Sequence, residues 1–197
     1  MSRWFVTGAV GFIGYHLSST LLARGDEVVA FDDFSAAPYP LAAKRHNERD
    51  LRRQGGGRFT LVEGCITDAV ALDRALAEPR HAGGDGPGHA ASGFDGVIHL
   101  AGLAGVRPSF DDPARYLRVN VEGTATVLEE ARRHRVPQIV FASSSSVYGN
   151  STPLPASEDA AAILPESPYA ASKRGAELVA VSLSRRLPEL PLTALRF

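Results

Sequence analysis

Arg3-Trp4-Phe5-Val6-Thr7-Gly8-Ala9-Val10-Gly11-Phe12-Ile13-Gly14 opens the chain and decides its fold. Arg3 to Thr7 is a short apolar strand that runs directly into Gly8. A helical pattern follows from Phe12 to Arg24, with Ile13, Leu17, Leu21 and Leu22 at helical spacing. Three glycines stand at the junction in the order G-x-x-G-x-x-G. Glycine lets the backbone come close to a charged group, and a helix N-terminus offers N–H donors and positive potential to an anion. Strand, glycine turn and helix in this order make a cradle for the pyrophosphate of a dinucleotide. Glycines alone would also serve a plain structural turn.

Outward from this junction, strand and helix signals alternate. Gly25-Asp26 stops the first helix. Glu27 to Phe31 is the second strand and ends at Asp32-Asp33. A polar stretch with helical character, Leu41 to Arg53, leads to Gly55-Gly56-Gly57, and Arg58 to Glu63 reads as the third strand. Asp68 is the expected N-cap of a helix through about Ala77. Glu78 to Phe94 changes composition, with Gly83, Gly84, Gly86, Gly88, Gly93, Pro79 and Pro87, and reads as a long loop. It carries His81, Asp85 and His89. Glycine-rich surface loops commonly hold stray histidines and no supporting ligand cluster accompanies these, so no metal is assigned. Gly96 to Leu100 is the fourth strand. Pro113 to His134 is a long amphipathic helix with Tyr116, Leu117, Val121, Val127, Leu128 and Ala131 on its apolar side. Gln138 to Ala142 is the fifth strand, Tyr169 to Leu187 another long helix, and Leu192 to Phe197 begins a sixth strand. This alternation predicts an α/β fold, a doubly wound parallel sheet of the Rossmann type, as one domain over residues 1–197. The apolar pattern is still running at Phe197, so the expectation is a truncated chain.

Composition narrows the function classes. The 197 residues are 44% hydrophobic and 22% charged, which excludes a wholly disordered or collagen-like chain. Basic residues number 21 and acidic residues 22, a net charge of -1, so bulk charge attracts neither nucleic acid nor an anionic membrane. Cys65 is the single cysteine, which excludes an intrachain disulfide and a multi-cysteine zinc site. No apolar run approaches the roughly 20 residues of a membrane span. The first residues lack a signal peptide's apolar stretch, and a cytoplasmic location is the expectation.

Three further constellations bear on chemistry. Asp32 closes the second strand, where a carboxylate can accept hydrogen bonds from both hydroxyls of an adenosine ribose and repel a 2'-phosphate. This predicts NAD over NADP, with Asp33 beside it; a solvated aspartate starting a loop is the alternative. Tyr169 and Lys173 stand at i and i+4, on one face of a helix. A lysine cation there would favour the phenolate of Tyr169, a competent general base; an ordinary amphipathic helix start would look the same. Ser143-Ser144-Ser145-Ser146 follows the fifth strand directly. Ligands of doubly wound sheets sit beyond the carboxyl ends of the strands, so these hydroxyls are placed to bind a substrate oxygen, although a serine loop needs no ligand.

Taken together, the segments Val6 to Gly14, His99-Leu100-Ala101-Gly102, Asn120-Val121-Glu122-Gly123-Thr124, Phe141 to Gly149 and Ser167 to Lys173 resemble the extended short-chain dehydrogenase/reductase family, in its sugar-nucleotide epimerase branch. The resemblance covers nearly the whole chain. It implies a catalytic Ser144, Tyr169 and Lys173. It implies cofactor contacts from Gly8, Gly11, Phe12, Ile13, Gly14, Asp32, Ile66, Leu100, Ala101, Gly102, Asn120, Tyr169 and Lys173. Within the branch, Gly105-Val106-Arg107-Pro108-Ser109 and Ser144 to Gly149 look most like UDP-glucuronate 4-epimerases. The 4,6-dehydratases place Asp-Glu after the catalytic hydroxyl, where this chain has Ser145-Ser146, and related decarboxylases usually have Glu at Ser146.

What the resemblance implies is epimerisation at C4 of a nucleotide sugar. Tyr169, assisted by Ser144, would take the 4-hydroxyl proton, NAD would accept and return the hydride, and the 4-keto sugar would turn over between. Ser144, Ser145, Ser146 and Tyr169 would touch the sugar, and Lys173 would hold the nicotinamide ribose. Two departures stand out. Cys65 replaces the aspartate that usually contacts adenine, and the family's sugar-nucleotide-binding region lies beyond Phe197. A UDP-glucose 4-epimerase, another nucleotide-sugar oxidoreductase of this fold and a non-catalytic NAD-binding module remain open. A pure binder would have no need of Ser144, Tyr169 and Lys173 together. The helices from Pro113 and Tyr169 resemble those that pair in family homodimers, although their apolar faces also suit covering the sheet.

Overall fold

The computed structural model describes residues 1–36, 39–77, 93–150, 152–160, 164–186 and 191–197. The loop expected between Glu78 and Phe94 lies almost wholly outside these residues, with His81, Asp85 and His89. Six parallel strands form one sheet: β1 (Arg3–Thr7), β2 (Glu27–Asp32), β3 (Phe59–Glu63), β4 (Gly96–His99), β5 (Ile139–Ser143) and β6 (Leu192–Arg196), in the spatial order β3-β2-β1-β4-β5-β6. This is the doubly wound order, with the reversal between β1 and β4. In register, Thr7 lies opposite Phe31 on one side and His99 on the other, so the three strand ends that frame the reversal finish level.

The central strands β1, β2, β4 and β5 are covered on both faces, which is why they read as continuous apolar runs. Alternation sends Phe5, Val29, Phe31, Val97, Ile139 and Phe141 to one core, against Leu72, Val127, Leu128 and Ala176. Val6, Val28 and Ala30 enter the other, against Leu21, Leu22, Leu51 and Phe59. The helices over these cores are α1 (Phe12–Ala23), α2 (Leu41–Gly55), α3 (Ala69–Leu76), α4 (Pro113–Leu117), α5 (Gly123–Arg133) and α6 (Pro168–Arg186). Asp68 caps α3 as expected, accepting from Val70 N and Ala71 N.

Three sequence expectations change. The buried stripe of α1 is Gly14, Ser18, Leu21 and Leu22, while Ile13 is exposed. Small residues carry the contact because the helix starts tight against the glycine turn. Second, the long helix from Pro113 is not uniform: a π-helical stretch, Arg118–Glu122, joins α4 to α5, and Leu117 faces outward. Third, the serine run is not a loose loop. Ser143 ends β5, and Ser144 caps a 3-10 turn, Ser145–Tyr148. Among the described residues, no helix is long and apolar enough to cross a membrane.

Candidate functional site

A cavity opens at the carboxyl ends of β1, β2 and β4, lined by Gly8, Gly11 to Gly14, Phe31 to Asp33, Lys44, Gly64, Ile66, Leu100 to Ala104, Arg115 and Val119. Its floor is the glycine turn. Gly8 has φ +69°, and a Cβ there would meet Ala101 N at 2.7 Å. A Cβ at Gly14 would collide with the Gly8 carbonyl. Only glycine lets β1, the β4 end and α1 converge so closely. Gly11 caps α1 without a side-chain hydrogen bond, and α1 has no acid in its first turn. Its first N–H groups and the helix dipole are therefore aimed at the cavity, as a pyrophosphate requires.

At the β2 end, Asp32 is buried, and its Oδ1 accepts from Phe34 N and from Lys44 Nζ, both at 2.9 Å. Lys44 is itself buried. The carboxylate expected to serve a ribose thus spends Oδ1 on an internal ion pair, and Oδ2 is left without a hydrogen bond among the described residues. Asp33 is exposed, with its Oδ1 accepting from Ser35 N. Cys65 lies between the lining residues Gly64 and Ile66, its Sγ 3.2 Å from Thr67 Oγ1.

The β4 end is held by a buried polar chain. Thr124 Oγ1 donates to Asn120 O at 2.6 Å, so it accepts from His99 Nε2 at 3.1 Å. His99 Nδ1 then accepts from Thr7 Oγ1 at 2.7 Å, and Thr7 Oγ1 accepts from Ala101 N at 3.2 Å. Burial, helped by the Lys173 cation, pushes His99 down to about 3, so the ring is neutral and its tautomer is fixed by these partners. Asn120, expected as a cofactor contact, is buried under the cavity wall. Its Nδ2 donates to Leu103 O and Ser172 Oγ, and its Oδ1 accepts from Leu103 N. Both donors and the carbonyl oxygen of that amide are engaged in clamping Leu103 to α6.

The expected catalytic residues gather beside this wall. Lys173 Nζ donates to Ala142 O at 3.0 Å, two residues before Ser144. It also stands 3.2 Å from where a Cβ on Gly102 would be, next to the cavity lining. Burial lowers Lys173 to about 8, so the cation persists at neutral pH with two donors left over. Ser144 Oγ accepts from Ser146 N at 3.2 Å and lies 3.1 Å from Ser146 Oγ. Ser145 is exposed, and its N–H bonds the Phe197 carbonyl at 2.6 Å. Tyr169 is half-buried, its ring edge-on to Tyr116 at 6.3 Å. Among the described residues its hydroxyl has no hydrogen-bond partner, whereas Tyr116 donates to Ala104 O at 2.8 Å.

Four contributors escaped sequence reasoning. Lys44 sits in a helix that read only as polar. Tyr116 read as core, yet its ring stands edge-on to that of Tyr169. Arg115 lines the cavity from α4. Glu177, buried one turn beyond Lys173, accepts from Ser143 Oγ at 2.6 Å and from Arg174 and Arg196 at 2.8–2.9 Å. Its Tyr-x-x-x-Lys-x-x-x-Glu spacing on one helix face was the available signal.

Known proteins resemble the chain over nearly its whole length. The family model described as GDP-mannose 4,6 dehydratase matches residues 5–194. A probable UDP-glucuronate 4-epimerase of Rhizobium meliloti (strain 1021) is 36% identical over 197 residues, covering 99% of this chain and 52% of that protein. A UDP-glucose 4-epimerase of Erwinia amylovora is 34% identical over 192 residues, covering 98% of this chain and 51% of that protein. The crystal structure of the UDP-glucuronic acid 4-epimerase from Bacillus cereus, in complex with UDP-glucuronic acid and NAD, superposes with a TM-score of 0.83 at 30% identity, over 98% of this chain and 55% of that one. The chain thus spans about half the length of these relatives. It belongs to the family of the GDP-mannose 4,6 dehydratase model, the sugar-nucleotide epimerases and dehydratases of the short-chain dehydrogenase/reductase fold.

Proposed function

We propose that the chain is the NAD-binding and catalytic portion of a nucleotide-sugar 4-epimerase acting on UDP-glucuronate to give UDP-galacturonate. The observation that carries this is the meeting of Lys173 with the end of β5 beside the glycine cavity, with Tyr169 one turn earlier on α6 and Ser144 at the strand end. NAD, when bound, supplies the hydride acceptor and donor for C4 of the sugar. Tyr169, whose hydroxyl is uncommitted, takes the proton from the 4-hydroxyl, and Ser144 Oγ orients that hydroxyl. Lys173 remains a cation below about pH 8, and its free donors hold ribose hydroxyls while its charge favours the phenolate of Tyr169. Ser146, whose hydroxyl already neighbours Ser144, and Ser145 offer donors to a uronate carboxylate. An acidic pair at these positions would repel it.

UDP-glucose is the second reading, favoured by the likeness to the Erwinia amylovora enzyme. The test compares the two sugars with the gene's full-length product, following the 4-epimers by NMR. UDP-glucuronate is expected to be preferred, with Ser145→Ala and Ser146→Ala each reducing its turnover about 10-fold or more and leaving UDP-glucose little changed. Preference for UDP-glucose would replace the uronate assignment by the hexose epimerase.

A further inference from the structure

Resting on the dinucleotide reading of the cavity, we infer that Arg115 is the cation that neutralises the pyrophosphate of the bound dinucleotide. The charged residues lining the cavity are Asp32, Asp33, Lys44 and Arg115. Lys44 is consumed by Asp32 at 2.9 Å and buried with it. The glycine turn supplies neutral N–H donors and no side chain. Without Arg115 the lining would carry two carboxylates and one paired lysine opposite a ligand with two negative phosphates. Arg115 changes that balance.

The placement is built into the local fold. Asp112 caps α4 by accepting from Arg115 N at 3.1 Å, which fixes Arg115 in the first turn. Val119, four residues on, lines the same cavity, so one helical face presents both. Tyr116, the next residue, is buried and bonded to Ala104 O, which pins this helix against the wall formed by Leu103 and Ala104. Among the described residues the Arg115 guanidinium has neither a hydrogen bond nor an ion pair, although Asp111 and Asp112 stand close in sequence. It is exposed and free to fold over the cavity mouth, where bidentate pairing with phosphate oxygens is the geometry arginine favours.

The test is binding, measured at low salt on the chain itself with three probes: NAD, ADP-ribose and adenosine. In Arg115→Gln, affinity for NAD and ADP-ribose should fall about 10- to 100-fold, while adenosine, which lacks the pyrophosphate, should bind as to the parent. The salt dependence of NAD affinity should flatten, and Arg115→Lys should recover part of the loss. Unchanged NAD affinity in Arg115→Gln overturns the assignment. So does an equal loss for adenosine, which would mean a distorted cavity. A parent that binds none of the three probes overturns the dinucleotide reading and this assignment together.

Discussion

Lys173 shows how one residue's surroundings become chemistry. It is buried at the junction of β5 and α6, where desolvation brings its ammonium from 10.5 down to about 8. Linkage gives this a sign. The unfolded chain holds that proton up to 10.5 and the folded chain sheds it near 8, so folding stability rises with pH across that window. The residue's contribution should grow by roughly 3 kcal/mol between the two values. Urea unfolding of the parent and of Lys173→Met between pH 8 and 10 is expected to show this rise in the parent and lose it in the variant. Equal slopes would mean that Lys173 is well solvated. The Tyr169 and Lys173 pair was legible because i and i+4 spacing fixes a shared helix face from sequence alone. The desolvation was not legible, because it comes from Ala142 and the Gly102 segment, which are distant in the chain. The Asp32–Lys44 pair escaped for the same reason: a helix that reads as polar does not announce which of its cations turns inward.

At the scale of elements, β6 and α6 are joined by Glu177. Burial alone would raise its carboxyl, but hydrogen bonds from Arg196, Ser143 and Arg174 outweigh that and hold it below the usual carboxylate range. Arg196, pushed upward by the same carboxylate, also stacks 4.7 Å over the Tyr148 ring. One carboxylate thereby fixes the last strand, the strand end before Ser144 and the helix of Tyr169 and Lys173. Removing its charge strands two guanidinium groups, so Glu177→Gln should cost about 3–5 kcal/mol in chemical denaturation at pH 7. The stabilisation is present above the ordinary glutamate value and is lost as pH falls through the depressed one, so the gap between parent and variant should close in acid. A variant as stable as the parent at pH 7 would assign the network no role. The positions of the central strands were legible because both of their faces are buried and their apolar runs are unbroken. The π-helical stretch at Asn120 was not, since it follows from the tertiary clamp on Leu103 and Ser172 rather than from local propensity.

At the scale of the molecule, the doubly wound parallel sheet and the dinucleotide cradle at its first glycine junction follow from the alternation of apolar runs and the spacing of the glycines. Those features were legible from the first fourteen residues onward. The charge balance of the cavity was not, because Asp32, Lys44 and Arg115 come from three separate segments. That balance decides which dinucleotide the cavity takes. In the proposed complex Asp32 Oδ2 is the oxygen available to the ribose, because Oδ1 holds Lys44. Removing the aspartate would free a buried cation suited to a 2'-phosphate. The most direct measurement is isothermal titration of the chain with NAD and NADP, repeated for Asp32→Ala. One NAD site with NADP weaker is expected in the parent, and in the variant a weaker NAD and a narrowed gap to NADP. No NAD binding, or equal NAD and NADP affinity in the parent, would contradict it.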